Sequence, residues 1–205
     1  MRGGAGRVRG AALVLMLAAP AAFADEAPLA RVTLDLTAER AGAEVAELTL
    51  TPGNDSAADL TIRAADGAVL AQIAEMTTAG SFAGAEPRLE VAENGTSLRV
   101  YQEWTGIGRN PWESVTTIAA RDGEVIVAGF TQNMWDRITN ETLACDWNLL
   151  SGDYVVNACA LDDPGRDEPG TCHEQEKTGR NAQRIALEDW AAAQDPALTD
   201  FCTLR

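Results

Sequence analysis

Three Asx-Gly pairs, Asp66-Gly67, Asn94-Gly95 and Asp122-Gly123, each fall between two short runs in which apolar and polar residues alternate. No other feature constrains this chain as much. A two-residue hairpin turn needs positive φ angles that Asn, Asp and Gly adopt at least cost, and alternation with period two marks strands buried on one side. The first pair joins ADLTIRA to GAVLAQIA, which predicts a hairpin over 58–74. The second joins LEVAE to TSLRVYQEW, and the third joins ESVTTIAA to EVIVAGFT. Upstream, RVTLDL and VAELTL alternate in the same way, and TPGND at 51–55 interrupts the pattern. Turn signals every ten or so residues describe an all-β domain of antiparallel hairpins, arranged as a sandwich or curved sheet.

The last third changes character. Residues 161–180, LDDPGRDEPGTCHEQEKTGR, are nearly free of apolar groups and read as an exposed acidic loop. NAQRIALEDWAAAQ then places Ala182, Ile185, Ala186, Trp190 and Ala193 on one helical face before Asp195-Pro196 stops it. This predicts one short C-terminal helix over 180–194, packed on the sheet.

The chain opens with Arg2, Arg7 and Arg9, an apolar run from Ala11 to Ala19, and small residues up to Ala22-Phe23-Ala24. That is the pattern of a secretory signal peptide over 1–24, and its apolar run falls short of the roughly 20 residues that span a bilayer. The expectation is a periplasmic or secreted product, residues 25–205, forming a single mainly-β domain free of the membrane after cleavage. Without the three leader arginines the 16 basic residues fall to 13 against 31 acidic ones, a net of −18. Such a field repels nucleic acid and favours a cationic partner; it also serves plain solubility.

Four cysteines, Cys145, Cys159, Cys172 and Cys202, lie in the last third, and an even number in an oxidising compartment predicts two disulfides. CDWNLLSGDYVVNAC (145–159) reads as strand, turn, strand. If Cys145 pairs with Cys159, the register centres on Gly152 and puts Cys145, Trp147 and Leu149 on one face with Val155 and Cys159, leaving Cys172 for Cys202. A two-residue turn at Ser151-Gly152 would instead throw the two cysteines to opposite faces, so this pairing needs a three-residue loop or a bulge.

Several chemistries find no support. The only histidine, His173, adjoins Cys172, so a Ser-His-Asp or Cys-His system would hang on one residue in the loop, and no zinc spacing exists. In TPGNDSAADL, Asp55 and Asp59 could offer oxygens to Ca2+, although an Asx-rich turn explains the same residues. Among Tyr101, Trp104, Trp112 and Trp135, the pair Trp104 and Trp112 flanks the turn-rich TGIGRNP. With Arg109 they form a candidate ligand platform; burial against the sheet is the alternative.

Four segments carry a resemblance: GAEPRL (84–89), IGRNPW (107–112), RDGEVIVAG (121–129) and CDWNLLSG (145–152). In this order they resemble a family of uncharacterised secreted proteins of Gram-negative bacteria, over roughly residues 58–152. Some of these look related to FG-GAP or VCBS-type repeat proteins, whose calcium loops GNDSAADLTI (53–62) is similar to, with Asp55 and Asp59 on ligand positions. The resemblance implies a secreted location and no particular activity. The functional expectation is therefore a non-enzymatic binding or inhibitory module for a basic partner, such as a lysozyme-like muramidase. The alternative is a carboxylate-dependent hydrolase of cell-wall glycan, which needs two carboxyl groups roughly 5 to 10 Å apart.

Overall fold

Each Asx-Gly pair turns between antiparallel neighbours in the computed structural model, which describes residues 27–37, 42–81, 83–161, 171–194 and 202. The expected leader, residues 1–24, lies outside them. Asp122 and Gly123 both take positive φ, 54° and 81°, the turn geometry whose twist matches that of the flanking strands. Asp66 and Asn94 act through their side chains, accepting bonds of 3.0 Å from the amides of Ala68 and Thr96.

β1 (Ala30–Leu34), β2 (Glu44–Thr51), β3 (Asn54–Arg63) and β4 (Val69–Thr78) form one antiparallel sheet in sequence order. The second sheet is another sequential meander: β5 (Arg88–Val91), β6 (Ser97–Trp104), β7 (Trp112–Arg121), β8 (Glu124–Trp135), β9 (Thr142–Asn148), β10 (Asp153–Leu161) and β11 (Cys172–Arg180). β9 stops pairing with β8 at Asn148, opposite Gly129, and β12 (Ile185–Ala186) takes up the next part of β8, Ile126 and Val127. The chain is thus all-β, two antiparallel sheets with one short helical segment near its end.

Period-two alternation sends Leu48, Leu60 and Ile62 of the first sheet and Leu98, Ile118, Phe130 and Trp147 of the second into one shared core. Burying each such side chain contributes about 1.5–3 kcal/mol. Glu44, 1 % exposed, closes the β1–β2 connection: its carboxylate accepts the amide of Leu36 at 2.9 Å and both the amide and hydroxyl of Thr37.

Three expectations are corrected. The interruption at 51–55 is only the two-residue turn Pro52-Gly53, so β3 begins at Asn54. The expected acidic loop 161–180 is half strand. Residues 162–170 lie outside the described residues, but β11 pairs with β10 without a slip from Cys172 opposite Leu161 to Arg180 opposite Asp153. An edge strand exposed on both faces needs no apolar alternation, and its charges discourage further pairing, so composition hid it. Helical conformation begins at Leu187, not at residue 180: a 3-10 turn, Leu187–Asp189, continues to residue 194. Upstream the backbone finds extended partners, Asn181 donating to Gly152 O at 2.8 Å and Gln183 to Leu149 O at 2.9 Å. Trp190 still buries, its ring 5.5 Å from that of Phe130.

The disulfides also differ from expectation: Cys145 pairs with Cys202 and Cys159 with Cys172. The cause is register. Asn148 Oδ1 accepts the amides of Leu150 and Ser151, Gly152 N donates to Asn148 O, and the resulting four-residue connection sets Cys145 opposite Val156. That differs by three residues from the register centred on Gly152, and an odd shift moves every β10 side chain to the other face. Cys145 therefore faces inward, buried with Val156 and Cys202, while Cys159 faces outward on the same side as Cys172.

Candidate functional site

Directly opposed residues of neighbouring strands share a face, so the pairing of β6 to β11 fixes which side chains line up on the side of the second sheet away from the core. One such row reads Glu103, Glu113, Asn133, Ala144, Asn157 and Glu176, one residue from each strand. Glu113, Asn157 and Glu176 are exposed and the other three half-buried. The adjacent row runs Tyr101, Val115, Thr131, Asp146, Val155 and Thr178.

Depressions indent this face among the described residues. One, of about 220 Å³, is bordered by Glu86, Arg88, Tyr101, Glu103, Glu113 and Asn133. A second, of about 570 Å³, meets Thr142, Ala144, Asn157, Glu174 and Glu176. A third, also of about 570 Å³, lies over Arg99, Val115, Thr117, Gly129, Thr131 and Asp146.

The electrostatics follow from where the arginines go. Arg31 pairs with Glu47, Arg109 with Asp136, Arg180 with Asp153, and Arg184 with both Asp122 and Glu124. Arg88, beside the first depression, pairs with Glu90 at 3.2 Å and lies 4.0 Å over the Tyr101 ring. Among the described residues no ion pair reaches Glu103, Glu113 or Glu176. Glu113 accepts a bond of 3.0 Å from Asn133 Nδ2, and Asp146 one of 2.9 Å from Thr131 Oγ1. Glu103 and Glu113 stand directly opposed, an arrangement of like charges that costs stability.

The candidate platform residues come together at one end of the same sheet. Trp104 and Trp112 are directly opposed and partly buried, and Trp104 Nε1 donates to Ile107 O at 3.0 Å. Arg109 binds Asp136 at 2.6 Å. Sequence reasoning missed Asp136 and Arg137, which lock this end. Arg137 donates from its backbone to Arg109 O and from its guanidinium to Gly108 O, both at 3.0 Å, and also to Thr105 O. Burial opposes ionisation of Asp136, yet the amides of Thr139 and Ile138 and the Arg109 guanidinium outweigh it and hold the carboxyl below its usual range. This end exposes two aliphatic side chains, Ile107 at 56 % and Ile138 at 42 %, beside the exposed Arg109, Asn110 and Arg137.

Asp59, one of the two calcium candidates, has a local task. Its Oδ1 accepts the Thr51 hydroxyl at 2.5 Å and the Glu75 amide at 2.9 Å, where β4 bulges and Glu75 takes a φ of 52°. Asp55 is exposed on β3. Among the described residues no three His, Cys, Asp or Glu side chains group to hold a metal ion. No helix among them is long and apolar enough to cross a membrane. Comparison with protein-family models, with curated proteins and with solved structures gives no match for this chain.

Proposed function

We propose that this is a secreted or periplasmic binding module that captures a cationic partner by charge, a basic muramidase being one example. The carrying observation is the indented face of the second sheet, where Glu103, Glu113 and Glu176 lie with no ion pair among the described residues, while Arg31, Arg109, Arg180 and Arg184 pair with other acids and Arg88, on the same face, is held by Glu90. The two disulfides and the leader-like start agree with an oxidising location outside the cytoplasm. Steering by a field of this size is strong at low salt and screened within about 8 Å at physiological ionic strength. Immobilised protein is expected to retain a lysozyme-type muramidase from about 20 mM salt and to release it by about 0.5 M. Absent or salt-indifferent retention would overturn the reading.

A second reading, the carboxylate hydrolase, draws on one observation: Glu86, Glu103 and Glu113 border the same depression. Release of soluble fragments from cell-wall glycan, lost on Glu103→Gln, would carry it. No release by the unaltered protein would remove it.

A further inference from the structure

We infer that the outward face of the second sheet docks an extended lysine- or arginine-rich polypeptide segment, laid across the strands along the row from Glu103 to Glu176. This rests on the binding reading above and gives it a location and a ligand form. Neighbouring strands are about 4.8 Å apart, so five steps from β6 to β11 set the two end carboxylates about 24 Å apart. A small diamine cannot reach both ends. An extended chain advances about 3.3 Å per residue, so about seven residues cover the distance.

The middle of the row suits a peptide backbone. Exposed Asn157 offers a carboxamide, the group that matches the peptide unit in both donor and acceptor, Asn133 keeps its carbonyl oxygen and one N–H beside the bond it gives to Glu113, and Ala144 between them leaves clearance for a main chain to pass. The ends suit the side chains of such a segment: Glu103 and Glu113 side by side at one end, Glu176 and its neighbour on the same strand face, Glu174, at the other. A cation placed between Glu103 and Glu113 would offset the cost of setting two like charges opposite each other. The basic groups near the row are committed or set back. Arg88 is held by Glu90 and Tyr101, and Arg99 sits on β6 two rows away, opposite Glu90 and Thr117.

The probe is a capped ten-residue peptide of alternating lysine and serine, titrated calorimetrically into the full chain at about 20 mM salt, with backbone amide shifts recorded in parallel. Binding is expected, with the largest shifts at Glu103, Glu113, Asn133, Asn157 and Glu176. The pair Glu103→Gln and Glu113→Gln is expected to weaken it about tenfold, the loss of one half-buried and one exposed charge contact, while Glu188→Gln with Asp189→Asn on the exposed helical turn leaves it unchanged. Equal weakening by both pairs, or shifts confined to the first sheet, overturns the inference. So does a neutral linear glycan occupying the row where the basic peptide does not. If muramidase capture persists undiminished in the Glu103/Glu113 variant, the docking site falls and the binding reading stands. If the unaltered protein binds neither muramidase nor peptide, both fall. The shift map, taken on the unsubstituted chain, decides the location even if a variant folds poorly.

Discussion

Gly152 shows how much a single residue holds in place. Its φ is +84°, and a Cβ built there would lie 2.2 Å from Ala182 N and 2.6 Å from Asn181 C. The backbone it would displace supplies Asn181 O, which accepts the indole N–H of buried Trp147 at 3.0 Å. Gly152→Ala is therefore expected to cost more than the roughly 1–2 kcal/mol of a left-handed L-residue, lowering the thermal midpoint by at least about 4 °C in a chain of this size. An unchanged calorimetric midpoint would deny the close approach. Asp136 gives a residue-level pH dependence. Its folded carboxyl titrates below the ordinary 3.8, so the stability it lends the loop is complete above that value and drains away as pH falls through the lowered one. The amide resonances of Ile138 and Thr139 should follow that titration with a midpoint under 3.8, and a midpoint at or above it would contradict the assignment.

Among the elements, hairpins were legible where a turn residue announced itself, and the rest depended on register. Asp66-Gly67, Asn94-Gly95 and Asp122-Gly123 all turn where they were placed, because the demand for positive φ is local. The connection after Asn148 has no such signal. Its length is set by the Asn148 side chain capping two amides, and the three-residue difference moved Cys159 to the outer face. The same difference hid the outward row: a register centred on Gly152 turns Asn157 inward with Cys159, whereas the observed one lines it up with Ala144, Asn133 and Glu176. Trp104, Trp112 and Arg109 do gather at one end of the sheet, whereas Asp136 and Arg137, which fasten them, sit in a loop whose return distance no pattern encodes. A non-reduced peptide map is expected to link Cys159 to Cys172 and Cys145 to Cys202. Closing the shorter ring stabilises by about 3 kcal/mol on chain-entropy grounds, so Cys159→Ser with Cys172→Ser should lower stability by up to that amount. Amide exchange should rise first in β11, which pairs only with β10. Exchange rising equally in β7 would show the strand is not held by that bond.

For the molecule as a whole, charge and topology set behaviour that no single contact does. With 31 acidic residues against 16 basic ones, self-repulsion opposes compaction. The thermal midpoint is therefore expected to rise as salt goes from about 10 mM to about 0.5 M, since screening relieves repulsion more than it weakens the few exposed ion pairs. A midpoint that falls over this range would place the balance with the ion pairs. The second sheet has a further consequence, in time and not in energy. From β5 to β11 every strand pairs with the one made just before it, so a chain emerging N-terminus first can add each strand to a finished neighbour. β12 breaks this order, returning to β8 across three intervening strands, and Cys202, later still in the chain, bonds back to Cys145 of β9. Pulse-labelled hydrogen exchange should find β6, β7 and β8 protected before Ile185 and Ala186. Simultaneous protection would mean that the sheet assembles all at once and that delivery order leaves no imprint on it.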